Sequence, residues 1–153
     1  MSDTELRVSK IKYGTVIDHI TSGHALDVVR ILGITGREEG PITIAINVPS
    51  KRLKRKDIVK IEGRELKPQE VHKIALIAPH ASINIIRDYN VAEKFNVEVP
   101  DIVKGIVRCQ NPGCITNQSE PIEPEFVVES KKPLTLRCIY CGRIMNDVSD
   151  YLI

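Results

Sequence analysis

The chain has 153 residues, 42% hydrophobic and 27% charged, and its 22 Lys+Arg against 20 Asp+Glu leave a formal net charge of +2. That length suits one ordinary domain or two small ones, and a charge so near balance gives no general field for nucleic acid or an anionic membrane surface. No apolar run approaches the ~20 residues of a membrane-spanning helix, and the polar, acidic start Met1-Ser2-Asp3-Thr4-Glu5 argues against a secretory signal, so a cytoplasmic chain with no membrane partner is expected.

Residues 15–20 read as a strand. Thr21-Ser22 offers an N-cap for a helix carrying Ala25, Leu26, Val28, Val29 and Leu32 at helical spacing, and Gly33 suits its stop. In the segment 42–48, Ile42, Ile44, Ile46 and Val48 fall on one face, the period-two pattern of a half-buried strand. A basic loop, Lys51-Arg52-Leu53-Lys54-Arg55-Lys56, precedes a strand over 57–62. Pro68 is a good first helical residue, with Gln69 and Glu70 in the first turn. Val71, Ile74 and Ala75 give that helix its apolar stripe, and Pro79 ends it. Residues 82–87 and a segment around 95–99 supply two more strands.

Strand, helix, strand, strand, helix, strand is the split ferredoxin-like pattern: an antiparallel sheet with both helices on one face, here with one extra strand. The other face is left open, and register says what lies there. With Ile17, Val59, Ile61, Ile83 and Ile85 toward the helices, Val16, Asp18, Ile58, Lys60, Asn84 and Ile86 face away. An acid, a lysine and an amide among aliphatic residues suit the floor of a small-ligand site; a solvated or subunit-contacting face fits the same pattern.

Four cysteines close the argument at the C-terminal end: Cys109 and Cys114, then Cys138 and Cys141. Two close pairs joined by a hairpin-length gap suit a closed tetrahedral thiolate cage, the donor set of a structural zinc. Two disulfides are the competing reading, which close pairs without export features disfavour. β-rich pieces at 102–108, 125–128 and 134–137 surround the cysteines, and a core this small needs such a staple. The expected fold is therefore α+β: a ferredoxin-like domain over 1–99 and a small all-β, zinc-ribbon-like domain over 100–153, with one zinc per chain.

Catalytic groups are hard to find. His19 beside Asp18 lacks a nucleophile or triad, and His24, His72 and His80 read as surface positions. Gly33-Ile34-Thr35-Gly36 lacks the lysine of a P-loop. Tyr89 suits either the cover of a base or core packing. The basic run could hold phosphates or simply be a solvated hairpin loop.

Several segments together resemble one family. Gly14-Thr15-Val16-Ile17-Asp18-His19-Ile20, Arg55-Lys56-Asp57-Ile58-Val59-Lys60-Ile61-Glu62, Ala75-Leu76-Ile77-Ala78-Pro79, Asn84 through Tyr89 and the cysteine quartet closely resemble the regulatory chain of aspartate carbamoyltransferase, from about Val8 to the last cysteine. The resemblance implies a subunit with no catalytic activity that serves pyrimidine biosynthesis. Its first domain would bind nucleotide effectors, CTP inhibiting and ATP activating, with UTP a further effector. Its zinc domain would dock on catalytic chains. Two regulatory chains would pair through their effector domains, within a larger hetero-oligomer of catalytic trimers and regulatory dimers. By the same resemblance Val8, Ile11, Val16, Ile58, Ile86 and Val91 lie near the nucleotide. Asp18 and Lys60 touch ribose and base, His19 and Lys94 the phosphates, with Lys56 a basic neighbour, and Asn84 and Tyr89 lie beside ribose and base. Asn111 and Tyr140 match docking positions, while Gly113 and Ile139 stand where more polar residues are usual, and Lys51-Arg52 adds charge to a less basic turn.

An alternative from another class is a nucleic-acid-binding module, since a ferredoxin-like sheet, a zinc ribbon and a basic loop also occur together in that role. RNA readers of this fold stack bases on sheet aromatics, and the open face here offers Ile58, Ile86 and Val16 instead.

Overall fold

Inward-pointing aliphatic residues at every second position build the first sheet. A computed structural model describes residues 11–38, 40–119 and 122–153. Among these, the first part contains β1 (Tyr13–Thr21), α1 (Ala25–Ile31), β2 (Ile42–Ser50), β3 (Lys54–Glu62), α2 (Pro68–Ile77), β4 (Ser82–Arg87) and β5 (Asn90–Asn96). The strands form one antiparallel sheet in the order β2-β3-β1-β4-β5, the ferredoxin-like order with one strand added at the β4 edge. Ile17, Val59, Ile61, Ile83 and Ile85 are buried against Val28 of α1 and Ile74 and Ala75 of α2, as the register requires. Each such isoleucine contributes about 1.5–3 kcal/mol by leaving water.

Local signals explain how the helices end. The Gly33 N–H donates to the Arg30 carbonyl and the Ile34 N–H to the Val29 carbonyl, with Gly33 at φ 69°, a Schellman stop for α1. α2 opens on Pro68, and the Glu70 side chain accepts the Lys67 N–H at 3.0 Å. The start of α1 differs from expectation. Thr21 and Ser22 do not cap it: β1 runs through Thr21, and the N-cap residue is His24, with no side-chain cap. Asp57, wholly buried on β3, takes over that role. Its Oδ2 accepts the N–H groups of Gly23 (3.0 Å) and Ala25 (3.1 Å), and its Oδ1 accepts that of Asn47 (2.9 Å).

Two strands of this sheet also differ. β2 is an edge strand whose ladder shifts between Ala45 and Val48, with Asn47 at φ 62°. The bulge breaks the single apolar face beyond Ala45; Ile44, opposite Val59 on this edge strand, is 38% exposed and Ile46 50%. The last strand lies at Asn90–Asn96 rather than over 95–99, joined to β4 through Asp88 and Tyr89 at φ 52° and 66°. Val97 and Val99 are buried beyond its end. Leu26, expected on the apolar stripe of α1, is exposed. Gly14 has no substitute: a Cβ there would stand 2.1 Å from the Ile61 carbonyl oxygen across the β1–β3 ladder.

The second sheet has the order β6-β7-β8-β9, from β6 (Ile102–Lys104), β7 (Glu125–Lys131), β8 (Leu134–Cys138) and β9 (Ile144–Met145). β6 is shorter than the expected 102–108 because Val107 leaves it to bridge Leu152. Phe126, Leu136 and Met145 fill the core of this sheet. The C-terminal residues touch both helices of the first part: Arg30 donates to the Ser149 carbonyl at 2.8 Å and Lys73 to the Ile153 carbonyl at 2.6 Å. Among the described residues, no helix is long and apolar enough to cross a membrane.

Candidate functional site

Strand pairing lays the open face out in rows. In the central row Lys60 pairs with Val16, Val16 with Asn84 and Asn84 with Lys94, so one line across four strands carries two ammonium groups and an amide. The Asn84 side-chain amide donates to the Val16 carbonyl at 3.3 Å, which fixes its orientation. Toward one end lie Ile58, Asp18, His19 and Lys56. Lys56 Nζ stands 3.0 Å from Asp18 Oδ1, and the His19 N–H donates to that same oxygen at 2.7 Å. His19 sits at φ 56° where the β1–β3 register shifts, and its Nδ1 shares a hydrogen bond of 3.1 Å with Ser82 Oγ. Toward the other end Ile86 pairs with Val91, and Tyr89 occupies the turn beside them.

The sequence-derived residues on β1, β3, β4 and β5 thus share one face, with differences in setting. Asp18 is engaged by Lys56 and His19 rather than standing alone. Tyr89 and Val91 are 58% and 57% exposed, at the margin of the face, and Ile11 is buried just before β1. Val8 lies outside the described residues. Two neighbours were missed: Thr43, which pairs with Lys60 from β2, and Ser82 against His19. The pairing register of β2 and β4 is the signal that finds them. Lys60 and Lys94 have no ion-pair partner among the described residues, so they offer uncompensated charge to an anion. Aliphatic Val16, Ile58 and Ile86 beside them lower the local dielectric and strengthen such a contact.

The four cysteines come together as their spacing predicts. Their sulfurs all lie within 4.8 Å of one another, with Cys109 and Cys141 at 3.7 Å and Cys114 and Cys138 at 3.7 Å. A tetrahedron of zinc–sulfur bonds of about 2.3 Å has edges of about 3.8 Å, so the donor set fits the ion. A covalent S–S bond of about 2.05 Å is far shorter, and none of the four is paired in a disulfide. The Asn111 N–H points at Cys109 Sγ and the Thr116 hydroxyl donates to Cys114 Sγ, the outer contacts that stabilise thiolates. Burial pushes the Cys109 thiol up to about 12 and raises that of Cys138. At exposed Cys141 burial acts the same way, but hydrogen bonds from the Arg143 backbone, the Asn111 side chain and the neighbouring thiols outweigh it and bring the thiol down to about 6. A cation beside Cys109 and Cys138 would offset the burial that disfavours their thiolates.

Around this centre Ile115, Ile139 and Tyr140 are exposed, a cluster of apolar and aromatic groups next to the ligating positions. Asn111 is tied to its own loop: its Oδ1 accepts the Gly113 N–H at 3.0 Å.

Comparison with known proteins accords with this layout. The family model described as aspartate carbamoyltransferase regulatory chain, allosteric domain, matches residues 6–98, and the one described as the metal binding domain of the same chain matches residues 101–149. A protein of Methanothrix thermoacetophila named aspartate carbamoyltransferase regulatory chain is 52% identical over 154 residues, covering 100% of both chains. The protein of that name in Pyrobaculum neutrophilum is 59% identical, over 97% of this chain and 98% of its own. That of Thermococcus kodakarensis is 56% identical over 93% of each.

Proposed function

The chain belongs to the family of aspartate carbamoyltransferase regulatory chains, non-catalytic subunits with an allosteric and a metal-binding domain, and from that premise we propose that it binds nucleoside triphosphates on the open face of its first sheet. The family fixes a catalytic chain as partner. In our reading the effectors are CTP as inhibitor and ATP as activator, with UTP a further ligand, in the control of pyrimidine synthesis. The two functional units divide near Val99-Pro100. Zinc held by Cys109, Cys114, Cys138 and Cys141 folds the second unit, which docks on the catalytic chain through Tyr140 and its apolar neighbours, with Asn111 holding the loop. When bound, the zinc supplies a fixed charge and geometry and no chemistry on a substrate.

One observation carries the nucleotide reading: the cross-strand row Lys60–Val16–Asn84–Lys94, with its two ammonium groups unpaired among the described residues, set between a polar end, where Asp18, His19 and Lys56 meet, and an apolar end, at Ile86, Val91 and Tyr89. A nucleoside triphosphate has the matching polarity, with anionic phosphates at one end and a flat base at the other. The nucleic-acid alternative finds no support on this face, where Val16, Ile58 and Ile86 stand in the positions that stacking aromatics would need.

Titration calorimetry tests the reading. Lys94→Ala weakens CTP and ATP by a similar factor, and the loss shrinks as salt rises, because an exposed charge pair is screened. Lys60→Ala, among aliphatic neighbours, costs about 1.5–3 kcal/mol and changes the ranking of CTP against ATP. Equal, salt-insensitive losses in both variants, or none, would place the nucleotide elsewhere.

A further inference from the structure

The basic run 51–56 forms the β2–β3 hairpin, and of its five cations only Lys56 has a carboxylate partner among the described residues. Next to it lies a recess of about 380 Å³ lined by Thr21, Ser22, Leu53, Lys54, Arg55 and His80. Three separate stretches meet there: the end of β1, the hairpin, and the loop after α2. None of Asp18, Lys56, Lys60, Asn84 or Lys94 lines it. Arg55 alternates with Lys56 along β3, so it serves the other side of the strand.

Among the described residues neither Lys54 nor Arg55 forms an ion pair. Asp57 is the nearest acid in the chain, but it is buried and both its oxygens are committed to the N–H groups of Gly23, Ala25 and Asn47. Arg55 donates one Nη1 bond to the Asn47 carbonyl at 3.0 Å, which fixes the guanidinium and leaves its other donors unspent. The Ser22 hydroxyl is spent on Asn47 Oδ1 at 2.7 Å, and the recess is left with a hydroxyl from Thr21, the guanidinium of Arg55, the ammonium of Lys54 and the imidazole of His80 among its lining residues. That is the donor set of an oxyanion site.

We propose that this recess is a second anion subsite, taking a phosphate or pyrophosphate group independently of any nucleotide on the sheet face. Arg55 would present paired donors to two oxygens, Lys54 a second positive charge, and the Thr21 hydroxyl and His80 imidazole further donors.

The test is calorimetric titration of inorganic pyrophosphate into the zinc-loaded full chain at low salt, alone and with saturating CTP. The variants are Lys54→Gln/His80→Gln, Ser22→Asp and Lys94→Gln. Gln keeps an ordinary side chain at Lys54, whose φ is 66°. Loss of the Lys54 charge together with the His80 donor should lower pyrophosphate affinity about tenfold or more. Ser22→Asp, which puts a carboxylate into the recess, should abolish binding, Lys94→Gln should leave it within about twofold, and CTP should not displace the ligand. Absence of pyrophosphate binding, equal binding to the double variant, or full displacement by CTP overturns the proposal. Failure of CTP to bind any of the chains overturns the nucleotide reading alone, and the variant series still decides the subsite.

Discussion

Asp57 shows how much a single side chain organises. Its carboxylate collects the N–H groups of Gly23, Ala25 and Asn47, and so ties the start of α1 and the bulge of β2 to β3. Removing it leaves three inward-facing donors without a partner, and such bonds to a charged acceptor cost more to lose than neutral ones. Asp57→Ala should lower the stability of the first unit by about 3 kcal/mol, read as a fall in the urea midpoint, and Asp57→Asn by less. An unchanged midpoint would mean that water replaces the carboxylate. The cysteines make a second residue-scale case. Burial holds the Cys109 and Cys138 thiols protonated, so metal binding must expel their protons and metal affinity should fall as the solution is acidified. Metal analysis of the purified chain should give one zinc, and Cys138→Ser should lose it together with the fold of the second sheet. A zinc-free chain with an intact second sheet would refute the assignment.

At the scale of elements, β2 is an exposed edge. Its outer side is unpaired among the described residues, and Ile44 and Ile46 stand open beside it. Long apolar edges invite pairing with a second copy, which suits the homodimer the family resemblance implies. Ile44→Lys/Ile46→Lys should convert a dimer to a monomer in light scattering while leaving the circular dichroism spectrum unchanged; a dimer that persists would move the interface elsewhere. The order and type of elements were legible in the sequence because period-two and helical patterns are local. So was the open face, because Ile17, Val59, Ile61, Ile83 and Ile85 define the inner one by alternation. What escaped depends on partners distant in sequence or on unusual backbone. Asp57 caps α1 from 32 residues away, so Thr21-Ser22 looked like the cap. The β4–β5 turn uses Asp88-Tyr89 at positive φ without a glycine, so the hairpin gave no turn signal. Phe95, Val97 and Val99 alternate like a strand, yet the last two pack as an extended segment after β5 has ended. The cysteine site was legible because metal geometry constrains spacing directly, whereas Thr43 and Ser82 emerge only from register.

Across the whole molecule, the question is how a ligand on one sheet could affect a partner on the other. An effector acts only through its different affinity for two states of the assembly, so some contact between the units must differ between those states. The C-terminal residues are placed to be that contact. Arg30 of α1 holds the Ser149 carbonyl and Lys73 of α2 holds the Ile153 carbonyl. The same stretch is tied to the second unit by the Val107–Leu152 bridge, the Ile153 N–H donating to Ile106, and the Arg108 N–H donating to Tyr151. α1 also begins against Asp57, the neighbour of Lys56 on β3, and Arg30 on the same helix bonds Asp27. Arg30→Ala/Lys73→Ala removes only two surface donors, and surface changes of this kind shift stability by about 0.5 kcal/mol or less each. The isolated variant should therefore bind CTP within about twofold of the parent. In the complex with the catalytic chain its response to CTP should be clearly weaker. By reciprocity, occupancy of the catalytic chain should also alter CTP affinity less than in the parent. Both halves can be measured on one preparation, by enzyme assay with and without CTP and by calorimetry with and without a catalytic-site ligand. Full regulation in the variant would show that the coupling runs through the packed side chains between the units rather than through these two cations.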